Sequence, residues 1–77
     1  MESTYDKDVE AIYIRLSDLP YAYGEDLDPS RRVDFSANGT PIGVELLNVD
    51  LGVDLDDLPQ HDSLEKVLAE YGVKVYA

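Results

Sequence analysis

Apolar and polar positions alternate over Ala11-Ile12-Tyr13-Ile14-Arg15-Leu16, with Ile12, Ile14 and Leu16 on one side and Ala11, Tyr13 and Arg15 on the other. A period of two predicts a half-buried strand. Before it, Tyr5-Asp6-Lys7-Asp8 reads as the end of a short strand entering a turn, and after it Ser17-Asp18-Leu19-Pro20 reads as a second turn. Tyr21 to Leu27 predicts a weaker strand at a sheet edge, because Gly24 and two acids interrupt it. The sharpest local signal is Asn38-Gly39, which suits both central positions of a type I′ turn. Counting outward from a two-residue loop sets Phe35 opposite Ile42, Val33 opposite Val44, Arg32 opposite Glu45 and Arg31 opposite Leu46. One face of this hairpin gathers Val33, Phe35, Ile42 and Val44, and the other gains an Arg32–Glu45 ion pair.

From Asn48 to Leu58 four aspartates interleave with Leu51, Val53, Leu55 and Leu58, which fits either a short strand or an extended crossover laying leucines on the core. A helix follows, predicted from about Ser63 to Tyr71. Asp62 is its N-cap and Glu65 its capping-box partner, Leu64, Val67, Leu68 and Tyr71 form the inward stripe, and Gly72 ends it. Val73, Val75 and Tyr76 read as a last short strand. Together these elements predict one α+β domain over residues 1–77: four or five antiparallel strands in meander order with one C-terminal helix on one face. A single helix covers only one face, so Tyr13, Gly43 and Leu47 fall on the other. Tyr13 and Leu47 are therefore the interface candidates, for self-association as a symmetric homo-oligomer, a dimer first.

Composition narrows the functional classes. A chain of 77 residues buries only about 60–65% of its unfolded surface, and without cysteine neither a disulfide nor a thiolate metal site supports its core. Asp and Glu total 17 against 6 Lys and Arg, a formal charge of −11. That excess repels phosphate backbones and anionic lipid, so no direct nucleic-acid or membrane binding is expected. It serves solubility, or it offers a docking surface to a basic protein. No apolar run is long enough to span a bilayer. Met1-Glu2-Ser3-Thr4 has neither a basic nor an apolar leader region, so the cytoplasm is the default expectation.

Two segments carry a family resemblance. Tyr5-Asp6, an acid four residues on at Glu10, and the Ile12-Tyr13-Ile14 strand are similar to the opening of the DUF2283 family, a domain of unknown function. Val33-Asp34-Phe35, the Gly39 turn and the return through Gly43-Val44-Glu45-Leu46-Leu47-Asn48 resemble its second signature. The resemblance covers roughly residues 4–49. Glu10 stands where the family usually has Asp, which keeps the charge, and the loop from Leu19 to Tyr23 carries a proline and two tyrosines that are not typical. The resemblance implies a small sheet-based bacterial or archaeal protein and no established activity. That members are often small stand-alone proteins hints at partner-dependent roles such as toxin neutralisation.

The candidate chemistry is sparse. Asp50, Asp54, Asp56, Asp57, His61 and Asp62 crowd one segment, and hard cations take several carboxylate oxygens. Asp54, Asp56, Asp57 and His61 are thus metal-ligand candidates, against the plainer reading of a solvated acidic loop. The spacing does not fit an EF-hand. His61 is the only histidine, and neither Ser30, Ser36 nor Ser63 sits in a nucleophile elbow, so no catalytic residue is assigned. Glu10, Asp34 and Glu45 are candidates for an acid–base carboxylate pair, although Arg32 answers Glu45 in the predicted register. No phosphate-binding loop occurs, and no cofactor is expected. Three readings follow. The first is a non-enzymatic interaction module, an antitoxin-like partner of a small basic protein. The second is a small metal-dependent protein or enzyme using residues 50–62, and the third a structural homo-oligomer.

Overall fold

The structure, a computed structural model, describes residues 1–76. Five strands, β1 (Glu2–Asp6), β2 (Ala11–Arg15), β3 (Tyr23–Asp28), β4 (Arg31–Phe35) and β5 (Pro41–Leu46), form one antiparallel sheet in the order β1-β2-β5-β4-β3. A 3₁₀ turn (Val49–Leu51), β6 (Val53–Asp54), helix α1 (His61–Glu70) and β7 (Val75–Tyr76) follow, with β6 and β7 paired in parallel as a separate two-stranded ladder. The α+β class, the antiparallel sheet and the C-terminal helix are those predicted. The order is a Greek key rather than a plain meander. From β2 the chain crosses the ends of β5 and β4 to the far edge and returns through β3, β4 and β5. That crossing is held by Leu16 and Ser17 N–H groups on the Ile42 carbonyl (2.8 and 3.3 Å) and by Ala22 N–H on the Phe35 carbonyl (2.8 Å).

The β4–β5 hairpin corrects the expected turn. Ser36 N–H donates to Thr40 O (2.9 Å) and Gly39 N–H to Ser36 O (3.0 Å), so the loop is the three residues Ala37-Asn38-Gly39. Of these only Gly39 is left-handed (φ 84°), the arrangement of a type I turn followed by a bulge glycine. Phe35 consequently pairs with Pro41 and not with Ile42. Pro41 has no N–H to give the ladder. A bulge at Ile42 then restores the register, so Asp34–Gly43, Val33–Val44, Arg32–Glu45 and Arg31–Leu46 pair, the last three as predicted. Two departures of one residue cancel.

The helix starts earlier than expected. Its N-cap is Gln60, in a left-handed conformation (φ 49°) with no side-chain cap, so Asp62 and Glu65 do not form a capping box. Asp62 lies in the first turn, where its carboxylate opposes the positive end of the helix dipole. The C-terminus follows the sequence closely. Gly72 (φ 75°) donates to Ala69 O (3.0 Å) and Val73 to Leu68 O (2.9 Å), a Schellman motif.

Ile12, Ile14, Val33, Val44 and Leu46 from the sheet pack against Val49, Val53, Leu55, Leu58, Leu64 and Leu68, all buried. Val67 and Tyr71 are half-buried against them, while Leu51, at 75% exposure, points out. β7 clasps this cover: Val53 N–H donates to Lys74 O and Leu55 N–H to Tyr76 O (2.8 Å each). Tyr71 returns to β1, its ring edge-on to Tyr5 at 5.2 Å and its hydroxyl 2.7 Å from Ser3 Oγ. No helix among the described residues is long and apolar enough to cross a membrane.

Candidate functional site on the uncovered sheet face

Strand alternation directs Thr4, Ala11, Tyr13, Arg15, Gly43, Glu45, Arg32, Asp34, Gly24 and Asp26 away from the core. The helix does not reach this side. The face is not the apolar patch that the sequence suggests, because Tyr13 and Arg32 lie flat along the strands and carpet it with polar groups. Tyr13 on β2 reaches over Gly43 on β5 and donates its hydroxyl to Asp34 Oδ2 on β4 (3.2 Å). A β-carbon on Gly43 would collide with the Tyr13 hydroxyl, so the absence of a side chain is what lets the ring lie there. Arg32 does the same over Gly24. Its Nε donates to Asp34 Oδ1 (3.2 Å), Nη1 to Asp26 Oδ1 (3.1 Å) and Nη2 to the Tyr21 hydroxyl (3.2 Å).

Arg32 and Glu45 are register partners, but the guanidinium turns to β3 and the expected Arg32–Glu45 ion pair is not made. Two carboxylates and a tyrosine on one side outcompete a single carboxylate on the other. Hydrogen bonds to Tyr21 and Asp26 raise the Arg32 pKa further, which keeps it charged throughout. Burial, followed by the charge of Asp34, pushes the Tyr13 hydroxyl above its ordinary value of 10.0. Both oxygens of Asp34 are engaged, which ties Tyr13 and Arg32 into one arrangement. Glu2, Asp6, Asp26, Asp34 and Glu45 share the face with only Arg15 and Arg32, and Glu2, Asp6 and Glu45 have no ion pair among the described residues. Leu47, 38% exposed, borders a shallow cleft of about 390 Å³ with Glu45, Arg32 and Asp26. Tyr13 thus lies on this face, and Leu47 stands just past the end of β5, where it also borders a cleft lined by Leu51, Val53 and Tyr76.

The carboxylate trio is split, with Asp34 and Glu45 on the open face and Glu10 on the Tyr5 side. Glu10 accepts the Tyr5 hydroxyl (3.0 Å), Asp34 serves Tyr13 and Arg32, and Glu45 is exposed. The bond to Glu10, with burial second, raises the Tyr5 pKa. The acidic segment is organised through its backbone. Asp54 Oδ1 accepts Asp56 N–H (2.9 Å), and Arg31 Nη1 donates to the carbonyls of Asp54 (2.9 Å) and Asp56 (2.6 Å). Arg31 also donates from Nε to Asp28 Oδ2 (2.8 Å), and that bond, with Ser30 N–H, lowers the Asp28 pKa below 3.8. Asp57 points elsewhere from a left-handed backbone (φ 66°), and His61 stands 4.0 Å from Asp62. Among the described residues no three acidic or histidine side chains converge as an ion cage.

Sequence reasoning placed Tyr13 on the correct face but missed Asp26 and Tyr21 as partners of Arg32, and missed why Gly24 and Gly43 are there. A glycine beside a long outward-facing side chain on the neighbouring strand is the signal that marks both sites. The profile of a family described as Protein of unknown function (DUF2283) matches residues 3–49, more than half of the chain. No curated protein and no solved structure gives a match.

Proposed function

The chain belongs to the DUF2283 family of unknown function, and we propose that it acts as a non-enzymatic interaction module, binding a small basic protein through the uncovered sheet face in the manner of an antitoxin. The observation that carries this reading is the face itself. It is a five-stranded surface with an acidic excess, whose central side chains are already locked by hydrogen bonds. Such a surface loses little side-chain entropy on docking. Its unpaired acids steer a cationic partner and reject acidic ones. The flat, interlocked chemistry of Tyr13, Asp34 and Arg32 favours recognition over turnover, since each of these groups is already bonded to a neighbour.

The test is affinity capture from cells of the source organism, with the wild-type chain and Glu45→Lys as parallel baits. Glu45 is exposed and unpaired, so reversing its charge leaves the fold intact. A basic protein should co-purify stoichiometrically with the wild type, dissociate as salt rises, and be lost from the variant. Absence of such a protein, or equal retention by both baits, removes the reading.

A further inference from the structure

A groove of about 370 Å³ opens on the other side of β3, away from the face just described. Its walls are Leu27, Val33, Phe35, Pro41, Leu58 and Pro59, and its two acids are Glu25 and Asp57. Glu25 pairs with Val33 in the β3–β4 register, which places it on the covered side of the sheet. Phe35 is fixed by stacking on Tyr23, with ring centroids 5.1 Å apart. Neither Glu25 nor Asp57 has an ion pair among the described residues, and no lysine or arginine lines the groove.

We infer that this groove receives the side chain of an arginine or lysine from the basic partner, with its methylenes against Leu27, Phe35, Pro41 and Leu58 and its cation between Glu25 and Asp57. The inference rests on the reading of the protein as a module for basic proteins, and names a contact that the open face does not supply. Long basic side chains combine an apolar stem with a charged head, which is the chemistry of these walls and this rim. Glu25 and Asp57 are exposed at the rim, where a basic head gains charge-assisted hydrogen bonds that a purely apolar occupant cannot make. A second copy brings a formal −11 of its own, which the carboxylates of this rim repel.

The groove is tested directly by methyl NMR. The probe is a short blocked peptide with one arginine between valines, compared with the same peptide carrying citrulline, which keeps the shape and loses the charge. The arginine peptide should shift the methyl signals of Leu27, Val33 and Leu58. Both citrulline and the double variant Glu25→Gln, Asp57→Asn should weaken binding roughly tenfold or more. Asparagine tolerates the left-handed backbone at position 57, so this variant keeps the fold. Equal binding of the two peptides, shifts confined to other surfaces, or no shifts at all overturn the inference. So does a groove signal that depends on protein concentration without peptide, which would mark a second copy as the occupant. Because this readout needs no cellular partner, its failure is distinct from failure of the capture experiment.

Discussion

At the scale of single residues, the open face depends on two missing side chains. A β-carbon at Gly43 meets the rigid end of the Tyr13 ring, Cζ at 2.5 Å, whereas one at Gly24 meets the flexible tip of Arg32. A ring pinned between strands moves at greater cost than a guanidinium. Gly43→Ala should therefore destabilise by about 1–3 kcal/mol, and Gly24→Ala by less than about 1 kcal/mol, measured by urea denaturation. In a Tyr13→Ala background the cost of Gly43→Ala should fall to below about 0.5 kcal/mol. An unchanged cost there would mean that Gly43 serves the backbone and not the ring. The alternation of Ala11 to Leu16 made the outward placement of Tyr13 legible in the sequence. Its bond to Asp34 was not, because it crosses two strand spacings and depends on which neighbours are small. The Arg32 pairing was misread for the same reason: register fixes who stands opposite, but a long side chain chooses among all acids within reach.

Among the elements, strands were read better than turns. Asn38-Gly39 carries the composition of a two-residue turn, yet Asn38 Oδ1 accepts Thr40 N–H (3.2 Å) and also meets Ser36 Oγ. These bonds favour the wider loop, with Gly39 alone left-handed. Gly39→Ala should accordingly cost about 1 kcal/mol. Asn38→Gly, neutral or stabilising in a type I′ turn, should instead cost about 0.5–1.5 kcal/mol by losing its bonds. Chemical denaturation of the two variants separates the geometries. The helix stripe and its Gly72 end were legible because periodicity and a C′ glycine are strong signals, whereas its start carries no side-chain cap to read. The sequence marks a short strand at Val73, Val75 and Tyr76 and allows one before Leu58, but nothing local marks their parallel pairing. Two strands of two residues pair in parallel across the helix, their register held by Val53 N–H on Lys74 O, Leu55 N–H on Tyr76 O and the leucines packed beneath them.

For the whole molecule, the acidic excess and the single small core were visible in composition. What composition did not show is how the core divides along the chain. The matched family region ends at residue 49, yet Val53, Leu55, Leu58, Leu64 and Leu68, five of the twelve buried apolar residues among those described, lie beyond it. A fragment of residues 1–49 should fail to fold alone, giving collapsed amide dispersion in a proton–nitrogen NMR spectrum. A dispersed spectrum would show that the sheet is self-sufficient. The division also has a meaning in time. At about 5–20 residues per second, the chain from Asp50 to Tyr76 takes on the order of 1–5 s to synthesise. Until that stretch has been made, Ile12, Ile14, Val33, Val44 and Leu46 have no complete cover to pack against. Tyr71, which ties the helix to Ser3 and Tyr5, is made long after the strand it secures. In that interval the strong negative charge disfavours contact between two such uncovered sheets, until Tyr71 closes β1 against α1.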